Sequence, residues 1–178
     1  KVLWEFTDTD MGFSYGAPLI LKTKRYGWVV VLTSGYHDDN TARNGYLYFV
    51  HPRTGAVLQK ISTGATANGL THATAFISDS SDGTADAIYV GDLNGQLWRF
   101  DVTAPAGTTA AYPAPTKIAL FTDGAQTPVA QPITSRPLVQ IQPTTSKRYV
   151  MVGTGRLLDS SDINSAATQS FYAVIDGT

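Results

Sequence analysis

The sequence predicts an all-β fold, a β-propeller of four-stranded antiparallel blades, and three observations carry that reading. Residues 88–101, Ile-Tyr-Val-Gly-Asp-Leu-Asn-Gly-Gln-Leu-Trp-Arg-Phe-Asp, read as two strands around Asn94-Gly95, the strongest short hairpin signal a sequence can carry. The chain is rich in turn formers and aromatics, with 16 Gly and 9 Pro, while no segment shows a long helical period with caps. Groups of strand-like runs also recur at a spacing of roughly 45–60 residues, near the period of a propeller blade with long loops.

Taken in order, the chain opens with Lys1-Val2-Leu3-Trp4-Glu5-Phe6, which resembles the later run Ala56-Val57-Leu58-Gln59-Lys60-Ile61 and reads as an isolated outer strand over residues 1–6. A first blade over 12–62 holds Ala17–Thr23, Trp28–Ser34, Tyr46–His51 and Ala56–Ser62. Its last two strands are joined by Pro52-Arg53-Thr54-Gly55, a turn closing on a left-handed glycine. A second blade over 70–122 holds Thr71–Ser78, Ala87–Gly91, Gly95–Val102 and Lys117–Thr122. An incomplete third blade over 133–178 holds Arg136–Gln142, Arg148–Gly153 and Ser170–Asp176 and lacks a fourth strand. Three blades are fewer than the usual 4–8. Either the first strand belongs to a preceding blade, which makes this a partial propeller or a fragment of a larger one, or it closes the last blade. The fragment reading is the preferred expectation. The connections 36–44, 103–116, 123–135 and 158–168 are polar and read as surface loops, where partner binding concentrates.

Composition narrows the function classes. A chain of 178 residues with 43% hydrophobic content fits one packed domain or part of a larger one. Net charge is −1, so no broad basic field is present to hold nucleic acid or an anionic membrane. The longest apolar run, around Trp28-Val29-Val30-Val31-Leu32, is too short to span a bilayer, and no membrane insertion is expected. With no cysteine, the chain has no disulfide, thiolate chemistry or Cys-based zinc site. The strand-like opening leads us to expect that the natural start lies upstream, so the lack of a visible signal peptide says nothing about export.

A family resemblance emerges from the order and spacing of several segments. These are Asn68-Gly69-Leu70-Thr71, Asp82-Gly83-Thr84-Ala85-Asp86, the run from Tyr89 to Asp101, Gln131-Pro132-Ile133-Thr134, Val152-Gly153-Thr154-Gly155-Arg156-Leu157-Leu158 and Gln169-Ser170-Phe171-Tyr172-Ala173-Val174. Together they resemble the C-terminal propeller of the PilY/PilC family, proteins associated with the tips of bacterial type IV pili. The resemblance spans about Gly12 to Asp176. It implies a non-enzymatic role in pilus biogenesis, retraction control, twitching motility and adhesion. The partners it implies are pilin subunits, other pilus components and a host or abiotic surface. The implied location is exported, at the pilus tip, outer membrane or cell surface of a Gram-negative bacterium.

The segment from Ser78 to Asp86 has the shape of the front of a calcium loop, in which oxygen ligands alternate around a tight-turn glycine. In that register Ser78, Ser80, Asp82, Thr84 and Asp86 are the candidate metal ligands, Gly83 makes the turn and Asp79 is a substitute one residue out of register. The resembled family carries a calcium site here, usually with Asp or Asn at the first two positions. Serine departs from that pattern, and position twelve is Tyr89 rather than a bidentate Glu. Two readings stand side by side: a weak calcium site, and an Asp/Ser/Gly turn that satisfies its own backbone.

Other clusters carry less. Tyr36-His37-Asp38-Asp39-Asn40 reads as a solvated loop, and His51 and His72 as polar strand-end residues. Asp159, Asp162 and Asn164 follow Gly153-Thr154-Gly155-Arg156, which lacks the helix and the Lys-Ser/Thr of a phosphate loop. Trp4, Trp28 and Trp98 are expected between blades, and Lys22, Lys24 and Arg25 as a small basic turn serving edge protection and solubility. The competing readings are a quinoprotein-type dehydrogenase segment, whose blade repeat Leu47–Leu58 resembles, and a structural interaction scaffold. Shared blades argue for architecture, not chemistry.

Overall fold

The computed structural model describes residues 1–37, 43–65, 69–103 and 108–177. Asp38, Asp39, Asn40 and Asn68 therefore lie outside the described residues, as do 104–107 of the loop after β7 and the terminal Thr178.

Alternation of apolar side chains, broken by glycine turns, sets the strands. Blade one is β1 (Leu19–Thr23), β2 (Gly27–Thr33), β3 (Tyr46–Val50) and β4 (Val57–Ser62), hydrogen-bonded in that order. Blade two is β5 (Leu70–Phe76), β6 (Ala87–Asp92), β7 (Gln96–Asp101) and β8 (Thr116–Leu120), again in chain order. Blade three holds β9 (Leu138–Ile141), β10 (Arg148–Gly153) and β11 (Phe171–Asp176). Every pairing within the sheets is antiparallel. The strands fall on the expected runs with ends within two residues, and the one helical element among the described residues is a 3₁₀ turn at Ser160–Asp162. The chain is thus all-β, three blades of a partial propeller.

The period of two along each strand gives every blade two faces. On β2, Val29 and Val31 turn toward blade two, where they join Leu47, Phe49, Ile88, Val90, Trp98 and Phe100 in one core. The opposite face of blade two supplies Ala87, Tyr89 and Leu97 to a second core with Ile133, Val150 and Val152 of blade three. Burying each large side chain in these interfaces contributes about 1.5–3 kcal/mol. Hydrogen bonds also run from blade to blade: Thr33 Oγ1 donates to Thr71 O at 2.7 Å, and Thr71 Oγ1 to Ile133 O at 3.0 Å.

The β6–β7 hairpin forms with a three-residue loop, Leu93-Asn94-Gly95, in which Gly95 has φ of 73°. A Cβ there would lie 2.5 Å from Phe121 O, so no larger residue fits. Asp92 holds the turn. Its Oδ1 accepts from the amides of Asn94 and Gln96, both at 2.9 Å, and its Oδ2 from Trp98 Nε1 at 2.8 Å.

Two expectations change. The run Val2–Phe6 is not a strand; it pairs with none of the described strands and lies across the open face of blade one. Trp4 and Phe6 pack there against Val30, Tyr48 and Val50, and Trp4 Nε1 donates to Pro52 O at 3.0 Å. A strand needs an edge to pair with, and here the segment meets a sheet face instead. It does not close blade three, whose β11 is an edge. Trp28, expected between blades, is 60% exposed on that same open face, because it alternates with the inward-facing Val29.

Candidate functional site

The segment with calcium-loop spacing is the connection between β5 and β6, at the margin where blade two meets blade one. Ser78 to Ser81 are exposed, Asp82 and Asp86 half-buried, and Thr84 and Ala85 buried. Local chemistry explains the shape. Asp82 Oδ1 accepts from both the amide and the hydroxyl of Thr84, at 2.8 and 2.7 Å. Asp79 Oδ1 accepts from the Ser81 amide at 2.8 Å, and Gly83 donates to Asp79 O at 3.2 Å. Asp86 Oδ2 accepts from the Ser78 amide at 2.6 Å. Such side-chain-to-backbone bonds are what Asp does in turns. Hydrogen bonds from Ser81 hold the Asp79 carboxyl below the usual range, and those from Thr84, aided by Lys24, do the same for Asp82.

Each of the three carboxylates has an oxygen committed to a backbone amide, and no group of three His, Asp or Glu side chains converges among the described residues. Two ammonium groups also reach the loop, one from the end of β1 and one from the β1–β2 turn. Lys22 Nζ donates to Asp82 O at 3.2 Å, and Lys24 Nζ lies 3.6 Å from Asp82 Oδ2. A donor set for a hard divalent cation needs several free oxygens facing one point. This arrangement, with cationic side chains already on Asp82, does not fit one.

Those lysine contacts escaped the reading of Lys22, Lys24 and Arg25 as a solubility turn. A signal existed: the β1–β2 and β5–β6 connections occupy the same place in successive blades, and one is basic where the other is acidic. Backbone contacts join them as well, with Ala85 donating to Lys22 O at 2.8 Å and a parallel bridge between Lys22 and Thr84.

Beside the loop lies a polar cleft of about 230 Å³ between blades two and three, lined by Phe76, Ser78, Asp86, Arg99, Asp101 and Arg148. Its arginines are internally paired. Arg99 Nη1 lies 3.1 Å and Arg148 Nε 3.9 Å from Asp176, which also accepts a hydrogen bond from Tyr89. A second cleft of similar volume opens where the first strands of the three blades begin. Phe13 and Tyr15 stack at its wall, and His72 lines it. His72 Nδ1 accepts from the Ala17 amide at 3.4 Å, and burial with Arg136 nearby pushes the imidazole below its usual value.

The remaining clusters resolve into structure. His51 Nδ1 accepts from the Arg53 and Thr54 amides and so shapes the β3–β4 turn. In the glycine segment before the 3₁₀ turn, Thr154 donates to Ser170 O and Gly155 to Pro132 O, so those amides cradle no phosphate. Arg156 pairs with Asp162 at 2.8 Å, and Asp159 caps the turn. Among the described residues no helix is long and apolar enough to cross a membrane.

Comparison with known proteins adds what this geometry lacks. A family model described as the PilY1 beta-propeller domain matches residues 5–178. A type IV pilus biogenesis factor PilY1 homolog of Xylella fastidiosa is 34% identical over 179 residues, covering 99% of this chain and 14% of the relative. The type IV pilus biogenesis factor PilY1 of Pseudomonas aeruginosa strain UCBPP-PA14 is 30% identical over 208 residues, covering 99% of this chain and 17% of the relative. The crystal structure of the Pseudomonas aeruginosa PilY1 C-terminal domain is similar with a TM-score of 0.80 at 27% identity, over 99% of this chain and 40% of that one. The chain thus spans less than a fifth of the length of these curated relatives.

Proposed function

The chain belongs to the PilY1 β-propeller family, and from that membership we propose that it is a non-enzymatic module of a type IV pilus biogenesis factor at the surface of a Gram-negative cell. One observation carries the reading: the family match runs over residues 5–178, the whole of the three-blade structure. The module presents its loops to pilin subunits or other pilus components and to a surface. It thereby supports pilus assembly, retraction control, twitching motility and adhesion. The open clefts between the blades, rather than a catalytic cluster, are the surfaces available for that work. The blade repeat shared with quinoprotein dehydrogenases speaks for architecture alone. This reading does not rest on calcium; the loop with calcium-like spacing carries Lys22 and Lys24 on Asp82 instead of a full set of acidic residues.

The test is an in-frame deletion of this segment from the parent gene, with the protein's export checked by immunoblot. Counts of surface pili, twitching zones and cells attached to a surface are expected to fall together and to recover on complementation. Unchanged piliation, twitching and attachment would sink the proposal.

A further inference from the structure

The acidic β5–β6 loop and the basic β1–β2 turn are one device, and we propose that it is a metal-free latch between blades one and two whose counter-ions are Lys22 and Lys24. Asp82 spends Oδ1 on its own turn, through the Thr84 amide and hydroxyl. That leaves its carbonyl and its Oδ2, and each of these receives a lysine ammonium from the neighbouring blade. The backbone is fixed at the same place by the Ala85 amide on Lys22 O and by the Lys22–Thr84 bridge, with Thr84 and Ala85 both buried. The loop therefore reaches its closed form through contacts the chain itself supplies.

Electrostatics then works against a metal. A divalent cation bound at Asp82 would sit within a few ångströms of both ammonium groups. Even at the dielectric constant of bulk water, each would weaken its binding by roughly tenfold. Serines at the first two loop positions add no charge to offset this. The latch joins two blades whatever the module does at a pilus.

Two measurements on the chain test it. The first is calorimetric titration of the metal-stripped protein with calcium up to millimolar concentration, the weak end of extracellular sites. Thermal unfolding is recorded in chelator and in calcium alongside. No saturable heat and coincident unfolding curves are expected. The second is a double-mutant cycle of Lys24→Met and Asp82→Asn; Asn keeps the acceptor for Thr84, so the loop retains its turn. A coupling of about two- to fivefold in the folding equilibrium is expected, shrinking in high salt. Saturable calcium binding that is lost in Asp82→Ala/Asp86→Ala would overturn the proposal, and so would a cycle with no coupling.

Discussion

Asp92 ties the β6–β7 hairpin to the next blade and carries a buried carboxylate. It is fully buried, yet it accepts from two amides and from the Trp98 indole, and its carbonyl receives the Ile133 amide of the next blade. Three strands' worth of register thus meets at one carboxylate. Burial pushes that carboxyl above the usual range, against the pull of the bonds from Trp98, Gln96 and Asn94. The folded state therefore holds the Asp92 proton more tightly than the unfolded chain does. As pH falls between the raised folded value and the ordinary 3.8, this residue adds stability instead of losing it. Asp92→Ala leaves the indole N–H and two amides without their acceptor. A loss of about 3–5 kcal/mol is expected from such a buried charged hub, measured by urea denaturation. A loss under about 1 kcal/mol would mean that water reaches the turn and replaces the carboxylate.

Among elements, the N-terminal segment shows how a run with strand-like alternation is held without a ladder. Trp4 and Phe6 cover part of the blade-one face, and the segment's acidic end is clipped by Lys60 on β4, at 2.7 Å from Asp8 Oδ1 and 2.6 Å from Asp10 Oδ2. The hydrogen bond from Lys60 holds the Asp8 carboxyl below its ordinary 3.8. The folded state thus binds this proton less tightly, and the stabilisation is present above 3.8 and lost as pH falls through the lowered folded value. Lys60→Met is expected to cost about 1 kcal/mol at neutral pH. The gap from wild type should close in acid, as read from thermal midpoints against pH; a gap that stays constant to low pH would assign the loss to packing on Tyr46 and Tyr48 instead. The strands themselves were legible because alternation and turn glycines are local signals, as at Gly55 and Gly95. The fate of Val2–Phe6 was not, because alternation says nothing of whether a sheet edge is within reach. The acidic loop was legible in residue types but not in partners, since Lys22 and Lys24 lie about sixty positions away in sequence. The loop after β7 gave no hint of Tyr112, which is buried against Phe49 and Tyr26 and bonded to Gln59 of β4.

At the scale of the molecule, three stacked blades leave two sheet faces uncovered. On blade one, Ile20 and Trp28 stand in solvent beside the N-terminal segment. On blade three, Leu138, Ile175 and Phe171, the last 71% exposed, line the face turned away from blade two, next to the unpaired edge of β11. A propeller ring needs at least four blades to bury every such face, and exposed apolar faces beside a bare edge favour association. The 178-residue chain on its own is therefore expected to self-associate as its concentration rises, blade three of one copy against blade one of the next. Sedimentation velocity over a concentration series measures this. Trp28→Glu and Phe171→Glu, each on one of the two faces, should shift the chain toward monomer. Because both side chains are solvent-exposed, folding stability should change by no more than about 0.5 kcal/mol. A chain that stays monomeric throughout the series would mean that these faces remain solvated in spite of their composition.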